Sequence, residues 1–284
     1  MTVTRPRRSA ALALPALTAS ALVLAGWAAV PASSHAVASS STSGPARVVH
    51  ALPGPRLPGT EGPGEQSTNW SGYVVTHSQV TFVHARWVVP ATTCKSADAN
   101  FQDTSFWVGI DGWSDGTVEQ AGTDVRCLPN STTPSYVAWW EMYPTNVEQL
   151  VFSVSPGDHV DASVKLVSGS YVLRVKDLTS GQSFTRTQAC GGGLTCQRTS
   201  AEWVAESPSY SSGLADLANY KKWKPTAMTM TVTGGPAATG PATYTYFPVT
   251  MITSGGATRA KVSPDLLTTA KNTFLDTFVH AGVT

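Results

Sequence analysis

Two separated stretches of the chain carry acids, amides and tryptophans at spacings that suit one face of a β-sheet. The first, residues 107–112 (Trp-Val-Gly-Ile-Asp-Gly), is followed by Gln120, and the second is residues 201–206 (Ala-Glu-Trp-Val-Ala-Glu). Successive side chains of a strand alternate between faces, so Trp107 and Asp111 point the same way, as do the two glutamates of the second stretch. A face that collects Gln, Glu, Asp and Trp is hard to explain as ordinary solvent exposure. The pattern predicts a cleft for catalysis or recognition.

Neighbouring stretches extend this face. Gln120 and Asp124 are four residues apart and therefore share a side of their strand. Residues 136–143 also alternate, with Trp139, Glu141 and Tyr143 on one side and Ala138, Trp140 and Met142 on the other. We expect the substrate-binding residues to be Trp107, Asp111, Asp124, Trp139, Glu141 and Tyr143.

A structural role competes with a functional one for several of these residues. Asp111 directly precedes a glycine, so it can cap a turn, and Asp124 can be an outward turn residue. The two tryptophans can be ordinary core, because bulky aromatic side chains often serve packing. Gln120 and Glu206 can be polar groups at the surface of outer strands.

The composition favours an exported β-rich protein. The chain has 284 residues, enough for one large domain with a sizeable core, and only 13% of them are charged. No basic stripe or RNA-binding aromatic motif occurs, so no nucleic-acid partner is expected. We expect a monomer.

The N-terminus has the features of an export signal. A basic region that ends at Arg8 precedes an Ala-rich apolar stretch, and Ala36-Val37-Ala38 offers a cleavage site. We predict a signal peptide over 1–38, in preference to a membrane anchor. A Pro-, Gly- and Ser-rich linker or short propeptide is expected over 39–68, and the folded domain over 69–284. Removal of the signal peptide takes away three arginines and no acid. The released chain is expected to be extracellular, with no membrane contact.

The four cysteines are expected to form disulfides, because their even number fits an exported protein. Three pairings are possible. We favour Cys190–Cys196, whose Gly-rich loop closes easily, and this leaves Cys94–Cys127. A metal site is disfavoured, since no histidine lies at ligand spacing and no C-x-x-C occurs. No cofactor is expected.

Short alternating runs separated by turn signals predict an all-β domain, a sandwich or a barrel. One stretch, 216–222, is compatible with a turn or two of helix. The expected strands are 70–76, 80–89, 104–111, 117–125, 135–143, 149–155, 159–167, 170–177, 183–188, 200–206, 226–233, 244–252 and 273–281.

Common enzyme signatures do not occur in the sequence. It contains no G-x-S-x-G elbow, H-E-x-x-H motif, Walker loop or Rossmann fingerprint, and its six histidines are scattered. A cysteine nucleophile is excluded if all four cysteines pair, and no D-T-G or D-S-G element is present. The remaining groups for chemistry are acids, amides and aromatic residues.

These motifs resemble those of the eqolisins, the secreted glutamic peptidases, and the signal peptide with few cysteines is similar to their bacterial branch. The resemblance covers about residues 69–281 and rests on Asn-Trp-Ser-Gly at 69–72, the stretches 107–112 and 201–206, and Gln-Ala-Gly at 120–122. It implies an antiparallel β-sandwich of two curved sheets, similar to a legume lectin (concanavalin-like). It also implies a catalytic dyad of Gln120 and Glu206 and, as substrates, proteins or peptides.

Elementary chemistry is consistent with this dyad. A carboxylate can take a proton from water that attacks a peptide carbonyl, and an amide N–H can stabilise the resulting oxyanion. Such a site favours acidic pH, because Glu titrates near ~4. One departure from the family is Ser207-Pro208, where an acid often follows the second Glu. Alternative functions are a non-catalytic carbohydrate-binding sandwich and a glycosidase that uses Glu141 and Glu206.

Overall fold

The computed structural model describes residues 64–95, 97–263 and 272–284, all within one compact unit. The predicted signal peptide and nearly all of the linker lie outside these residues. The strands are β1 (Glu65–Ser67), β2 (Trp70–Thr76), β3 (Val80–Val88), β4 (Gln102–Ile110), β5 (Val118–Cys127), β6 (Pro134–Tyr143), β7 (Asn146–Ser153), β8 (His159–Val167), β9 (Ser170–Asp177), β10 (Ser183–Ala189), β11 (Ser200–Glu206), β12 (Ser209–Tyr210), β13 (Gly213–Leu214), β14 (Lys222–Trp223), β15 (Thr226–Val232), β16 (Tyr246–Ile252), β17 (Thr258–Val262) and β18 (Asp276–Phe278).

Two sheets form the fold, and a short hairpin of β12 and β13 is added to them. In the described residues, the large sheet has eleven strands in the order β14-β18-β17-β16-β2-β11-β4-β5-β6-β7, with β1 beside β16. The small sheet has the order β10-β9-β8-β3-β15. All neighbours are antiparallel except β1 and β16, which pair in parallel. The predicted all-β antiparallel sandwich is confirmed.

Alternation along the strands builds a core between the two sheets. In β4, for example, Phe106, Val108 and Ile110 are buried in this core, as sequence alternation predicts. Tryptophan N–H groups also join the sheets: Trp87 Nε1 of the small sheet donates to Thr123 Oγ1 at 3.1 Å, and Trp203 Nε1 of the large sheet donates to the His84 carbonyl at 3.0 Å. The indole N–H groups of these two buried tryptophans thus have acceptors.

Every expected strand overlaps an observed one, but the expected helical turn at 216–222 is wrong. Leu217 N donates to the Ala281 carbonyl, and Lys222 pairs with Thr277 in β14 and β18, so these backbone groups bond to the C-terminal segment. The strand β1 was not expected either. It places residues before 69 in the large sheet, since Glu65 pairs with Val249.

Both favoured disulfides are confirmed. Cys94 is bonded to Cys127, the last residue of β5, and Cys190 is bonded to Cys196. The first anchors the loop before β4 to the far end of β5. Among the described residues there is no helix of the length and apolarity that crossing a membrane requires.

Candidate active site

The residues singled out in the sequence lie on the face of the large sheet that points away from the small sheet, here called the site face. The backbone register aligns them in rows across β11, β4, β5 and β6. One row holds Glu202, Gly109, Gln120 and Glu141; the next holds Val204, Trp107, Gly122 and Trp139; the third begins with Glu206, Ser105 and Asp124. Four strands therefore bring together two motifs that are about 90 residues apart.

Two glycines make space for the Trp107 side chain on this face. A Cβ atom on Gly122 would lie 2.1 Å from the Phe106 carbonyl oxygen and 2.7 Å from Trp107 Cβ. A Cβ on Gly109 would lie 2.7 Å from the six-membered ring of Trp107. The indole thus covers the row of Gln120 at one end, and its N–H points toward the row of Glu206.

Glu206 is fully buried and its carboxylate is held by named donors. Trp107 Nε1 donates to Oε2 at 2.7 Å, and Asn69 Nδ2 approaches Oε1 at 3.5 Å. Trp70 is the cross-strand partner of Glu206, and its ring packs edge-on against Trp107 with centroids 4.9 Å apart. Hydrogen bonds to the charged form of a carboxylate favour ionisation, whereas burial opposes it.

Gln120 lies on the same face and contacts Glu141. Its Nε2 donates to Glu141 Oε2 at 3.4 Å, directly across β5 and β6. From Glu206, Gln120 is two strands across and four residues along, which is roughly 10 Å and 13 Å in an ideal sheet. Trp107 lies at the midpoint of this diagonal, on the strand and in the row between the two residues.

Asp111 does not point into the rows of the dyad. Its φ of 71° turns the chain at the end of β4, and its carboxylate accepts the backbone N–H groups of Arg198 and Thr199 at 2.8 and 2.7 Å. Burial raises the pKa of Asp111 to about 6, with the neighbouring Asp115 adding to the shift. This geometry favours the capping role that the sequence left open for Asp111.

Asp124 is part of an ion-pair network at the far end of the site face. Its carboxylate accepts hydrogen bonds from Ser105 Oγ and from the guanidinium of Arg126, which also donates to Glu148 at 2.6 Å. Burial alone would lower the pKa of Arg126, but the surrounding carboxylates, Asp124 first, outweigh it and raise the pKa. These contacts indicate a structural role for Asp124, which joins neighbouring strands of the large sheet.

The other aromatic residues form a cluster on the site face. Trp139 is fully buried, and the partly buried Tyr143 packs against the cluster. Trp113, which the sequence did not single out, stacks on Trp70 with centroids 6.5 Å apart. The Asn-Trp-Ser-Gly motif at 69–72 was recognised in the sequence, but a role for its first two residues was not assigned.

A group of buried acids lies near the turn after β4, and one of them, Glu202, shares its row with Gln120. Glu119 and Glu202 are fully buried, and within the described part of the chain neither carboxylate has a hydrogen-bond partner. Burial, followed by the charges of Asp111 and Asp115, raises the pKa of Glu119. Burial also raises the pKa of Glu202. Sequence alternation finds Glu202, but it cannot show that the group is desolvated.

No cluster of three or more His, Cys, Asp or Glu side chains in residues 64–95, 97–263 and 272–284 is arranged to hold a metal ion. The site face itself carries carboxylates, a carboxamide and an indole N–H group. Together these can activate water and stabilise an oxyanion.

Comparison with known proteins identifies relatives. The chain is 31% identical to Aspergillopepsin-2 of Aspergillus niger over 55% of its own residues, and it spans 61% of that protein's length. Its fold matches scytalido-glutamic peptidase bound to a transition-state analog inhibitor, with a TM-score of 0.61 at 22% identity over 75% of this chain and 98% of that one. It also matches aspergilloglutamic peptidase from Aspergillus niger, with a TM-score of 0.53 at 27% identity over 63% and 99%. Residues 68–269 match the Peptidase A4 family, and the chain belongs to this family of glutamic peptidases.

Proposed function

We propose that the protein is a secreted endopeptidase that hydrolyses peptide bonds at acidic pH with Glu206 and Gln120 as its catalytic dyad. The observation that carries the proposal is the placement of both side chains on one sheet face on either side of Trp107, whose N–H holds Glu206. Family membership supports the class of reaction.

In the proposed mechanism, one water molecule bridges Glu206 and Gln120 above the Trp107 ring. In an ideal flat sheet the two backbone positions are ~16 Å apart, so a single bridging water requires a concave site face that brings the two side chains closer together. The Glu206 carboxylate takes a proton as the water oxygen bonds to the scissile carbonyl carbon. The carboxyl then gives that proton to the amide nitrogen as the C–N bond breaks.

Gln120 is assigned to the oxyanion. Its amide nitrogen carries two hydrogens, one directed at Glu141, and we assign the other to the carbonyl oxygen as negative charge develops. Loss of one oxyanion donor typically costs about 3 kcal/mol of transition-state stabilisation in acyl-transfer enzymes. Glu141 then serves to orient the amide.

The acidic working range follows from the proton cycle and from the buried acids. The base must be ionised, which requires pH above roughly 4 for a glutamate, while the leaving amine must be protonated. Glu119 and Glu202 have raised pKa values, so folding favours their neutral forms and hence acidic conditions.

Export is supported by the two disulfides, because such bonds persist in oxidising compartments. The predicted signal peptide over 1–38 is consistent with this. We propose protein or peptide chains as the substrates, with no nucleic-acid or membrane partner, and a monomeric enzyme.

The test is cleavage of denatured casein by the purified chain between pH 2 and 7. We expect Glu206→Gln and Gln120→Ala to lose activity at least 100-fold, with unchanged circular dichroism. Pepstatin, which blocks aspartic peptidases, should leave the wild-type rate unchanged.

Two control variants separate the loss of a catalytic group from the effect of altering a buried polar side chain. Glu202→Gln alters a buried glutamate on the same strand and face as Glu206, and Gln102→Ala removes a buried amide from β4. Neither residue belongs to the proposed dyad. Wild-type activity in Glu206→Gln, or equal losses in Glu206→Gln and Glu202→Gln, would refute the assignment of the base.

A further inference from the structure

The segment that leads into β2 contains a turn built around one serine hydroxyl. Ser67 Oγ accepts the backbone N–H groups of Asn69 and Trp70 at 3.3 and 3.1 Å, and it donates to Asn69 Oδ1 at 2.9 Å. All three residues are buried. A hydroxyl has one hydrogen and two lone pairs, so these contacts use its full capacity.

This turn decides how the Asn69 amide is oriented. Because Ser67 donates its only hydroxyl hydrogen to Oδ1, the NH2 group must point the other way, toward Glu206 Oε1 at 3.5 Å. Glu206 Oε2 is already held by Trp107. The two carboxylate oxygens thus face separate N–H donors from β4 and from the start of β2.

The backbone on both sides of this contact is tied down. Ser207 N donates to the Asn69 carbonyl at 2.8 Å, which joins the end of β11 to the turn. Arg259, fully buried, donates to the carbonyls of Thr68 at 3.0 Å and Ala215 at 3.0 Å, and Ser207 Oγ donates to the same Ala215 carbonyl at 2.6 Å. One buried guanidinium therefore links the residue before Asn69 to the residue after Glu206.

Burying such a guanidinium is costly unless its donors are used, and burial lowers the pKa of Arg259 to about 10. Its planar fork suits several fixed acceptors at once, which a lysine cannot match. The arrangement holds two backbone segments in register at the point where the base sits.

We propose that Asn69, oriented by Ser67, is a positioning residue that holds the Glu206 carboxylate in its working rotamer and favours its ionised form. This rests on the proposed role of Glu206 as the base. A separation of 3.5 Å is long for a hydrogen bond, and contacts of catalytic groups commonly tighten when substrate is bound.

The test compares pH–rate profiles of Asn69→Ala, Asn69→Asp and Ser67→Ala with wild type on a peptide substrate. Asn69→Ala should lower kcat about tenfold with KM nearly unchanged, since a hydrogen bond to a charged group is lost. Its acid limb should move to higher pH, because the carboxylate loses a donor. Asn69→Asp keeps the shape and adds a second carboxyl, so its acid limb should move further.

Ser67→Ala should move the acid limb of the pH–rate profile in the same direction as Asn69→Ala but by less. Ser67→Thr keeps the hydroxyl, so its acid limb should coincide with that of wild type. Thr104→Ala is the matched control: it removes a buried hydroxyl that bonds to the Ala218 carbonyl on another part of the sheet. Its acid limb should coincide with that of wild type.

An unmoved acid limb in folded Asn69→Asp, with kcat within twofold of wild type, would overturn the proposal. The same holds if Thr104→Ala shifts the limb as much as Ser67→Ala. Failure of the proposed function looks different, because Glu206→Gln would then keep its activity whatever Asn69 variants do.

Discussion

Trp107 shows how a single side chain joins the sequence motifs to the site. Its Cβ side is enclosed by Gly122, its six-membered ring lies over Gly109, and its N–H meets Glu206 at 2.7 Å. A bond between a neutral N–H and a carboxylate is stronger than one between neutral groups. The indole therefore acts both as packing and as a donor, so the two interpretations raised by the sequence are not exclusive.

We predict that Trp107→Phe lowers kcat/KM by about 10- to 100-fold, because a hydrogen bond to a charged group, worth about 1.5–3 kcal/mol, is lost. The phenyl ring keeps most of the buried apolar area, so the fold should persist. Steady-state kinetics at the pH optimum, with thermal unfolding of the same sample, measures both quantities.

Trp87→Phe is the matched control for this prediction. Trp87 is also buried and its Nε1 donates to Thr123 Oγ1, but it belongs to the small sheet. It should lose stability with little change in kcat/KM per folded molecule. A similar activity loss in both variants would mean that Trp107 matters only for packing.

At the scale of the elements, the close approach of β4 and β5 depends on a glycine. Gly122 lies between Trp107 on β4 and Trp139 on β6 in the same row. A side chain at this position would overlap the Phe106 carbonyl oxygen and the Cα and Cβ atoms of Trp107, so β4 can approach β5 this closely only beside a glycine. The Gln-Ala-Gly motif thus supplies the Gln120 amide and, at Gly122, the space that Trp107 of β4 requires.

We predict that Gly122→Ala destabilises the protein by about 1–3 kcal/mol or more, because its Cβ would overlap the Phe106 carbonyl oxygen and force β4 and β5 apart. Gly116→Ala is the control, since nothing lies within 4 Å of a Cβ at that position. Urea unfolding measures both. Equal stability of the two variants would contradict the steric argument.

The two disulfides should differ in their effect on stability. Cys94–Cys127 closes a separation of 33 residues and Cys190–Cys196 one of six. Since the entropy removed from the unfolded chain grows with loop length, loss of the first should cost about 3–4 kcal/mol and loss of the second about 2 kcal/mol. Paired Cys→Ala variants in urea test this, and a larger loss for Cys190→Ala/Cys196→Ala would contradict it.

For the whole molecule, buried acids set the pH range of stability. The pKa values of Glu119 and Glu202 are raised, first by burial, and burial raises those of Asp111 to about 6 and Asp276 to about 7. A raised pKa in the folded state gives stability that is complete below the unfolded value, near ~4, and is lost as pH rises through the folded value. The protein should therefore lose stability between about pH 4 and pH 7.

We predict that Glu119→Gln and Glu202→Gln each raise the pH midpoint of unfolding, because an amide has no charge to desolvate. Asp98→Asn, a partly exposed loop acid, is the control and should leave the midpoint unchanged. Tryptophan fluorescence across pH 3–9 follows the transition. A midpoint that stays in place in both glutamate variants would show that other groups control it.

Acids with lowered pKa values act in the opposite direction. Burial alone would raise the pKa of Asp161, but hydrogen bonds from His84 and Arg86 outweigh it and lower the pKa. This contribution to stability is present above the unfolded value and is lost as pH falls through the folded value. The stable range is therefore bounded on the acid side by ion pairs of the small sheet.

Sequence alternation predicted the all-β fold and most strands, because strands of a two-sheet sandwich each bury one face. It failed for the short strands and for 216–222. Strand β17 carries two basic residues at alternate positions, Arg259 and Lys261, and only the structure shows that Arg259 is buried among carbonyls.

By itself, the sequence determined which residue types face the same side of each strand, and hence Gln120, Glu141 and Glu206 as members of one site face. The tertiary structure decided which of those groups meet, because strand order and register are set by pairing between distant segments. It alone shows that Asp111 caps a turn, that Asp124 pairs with Arg126, and that Trp107 donates to Glu206. Alternation has a period of two and fixes a face, whereas a hydrogen bond needs the position along and across the sheet as well.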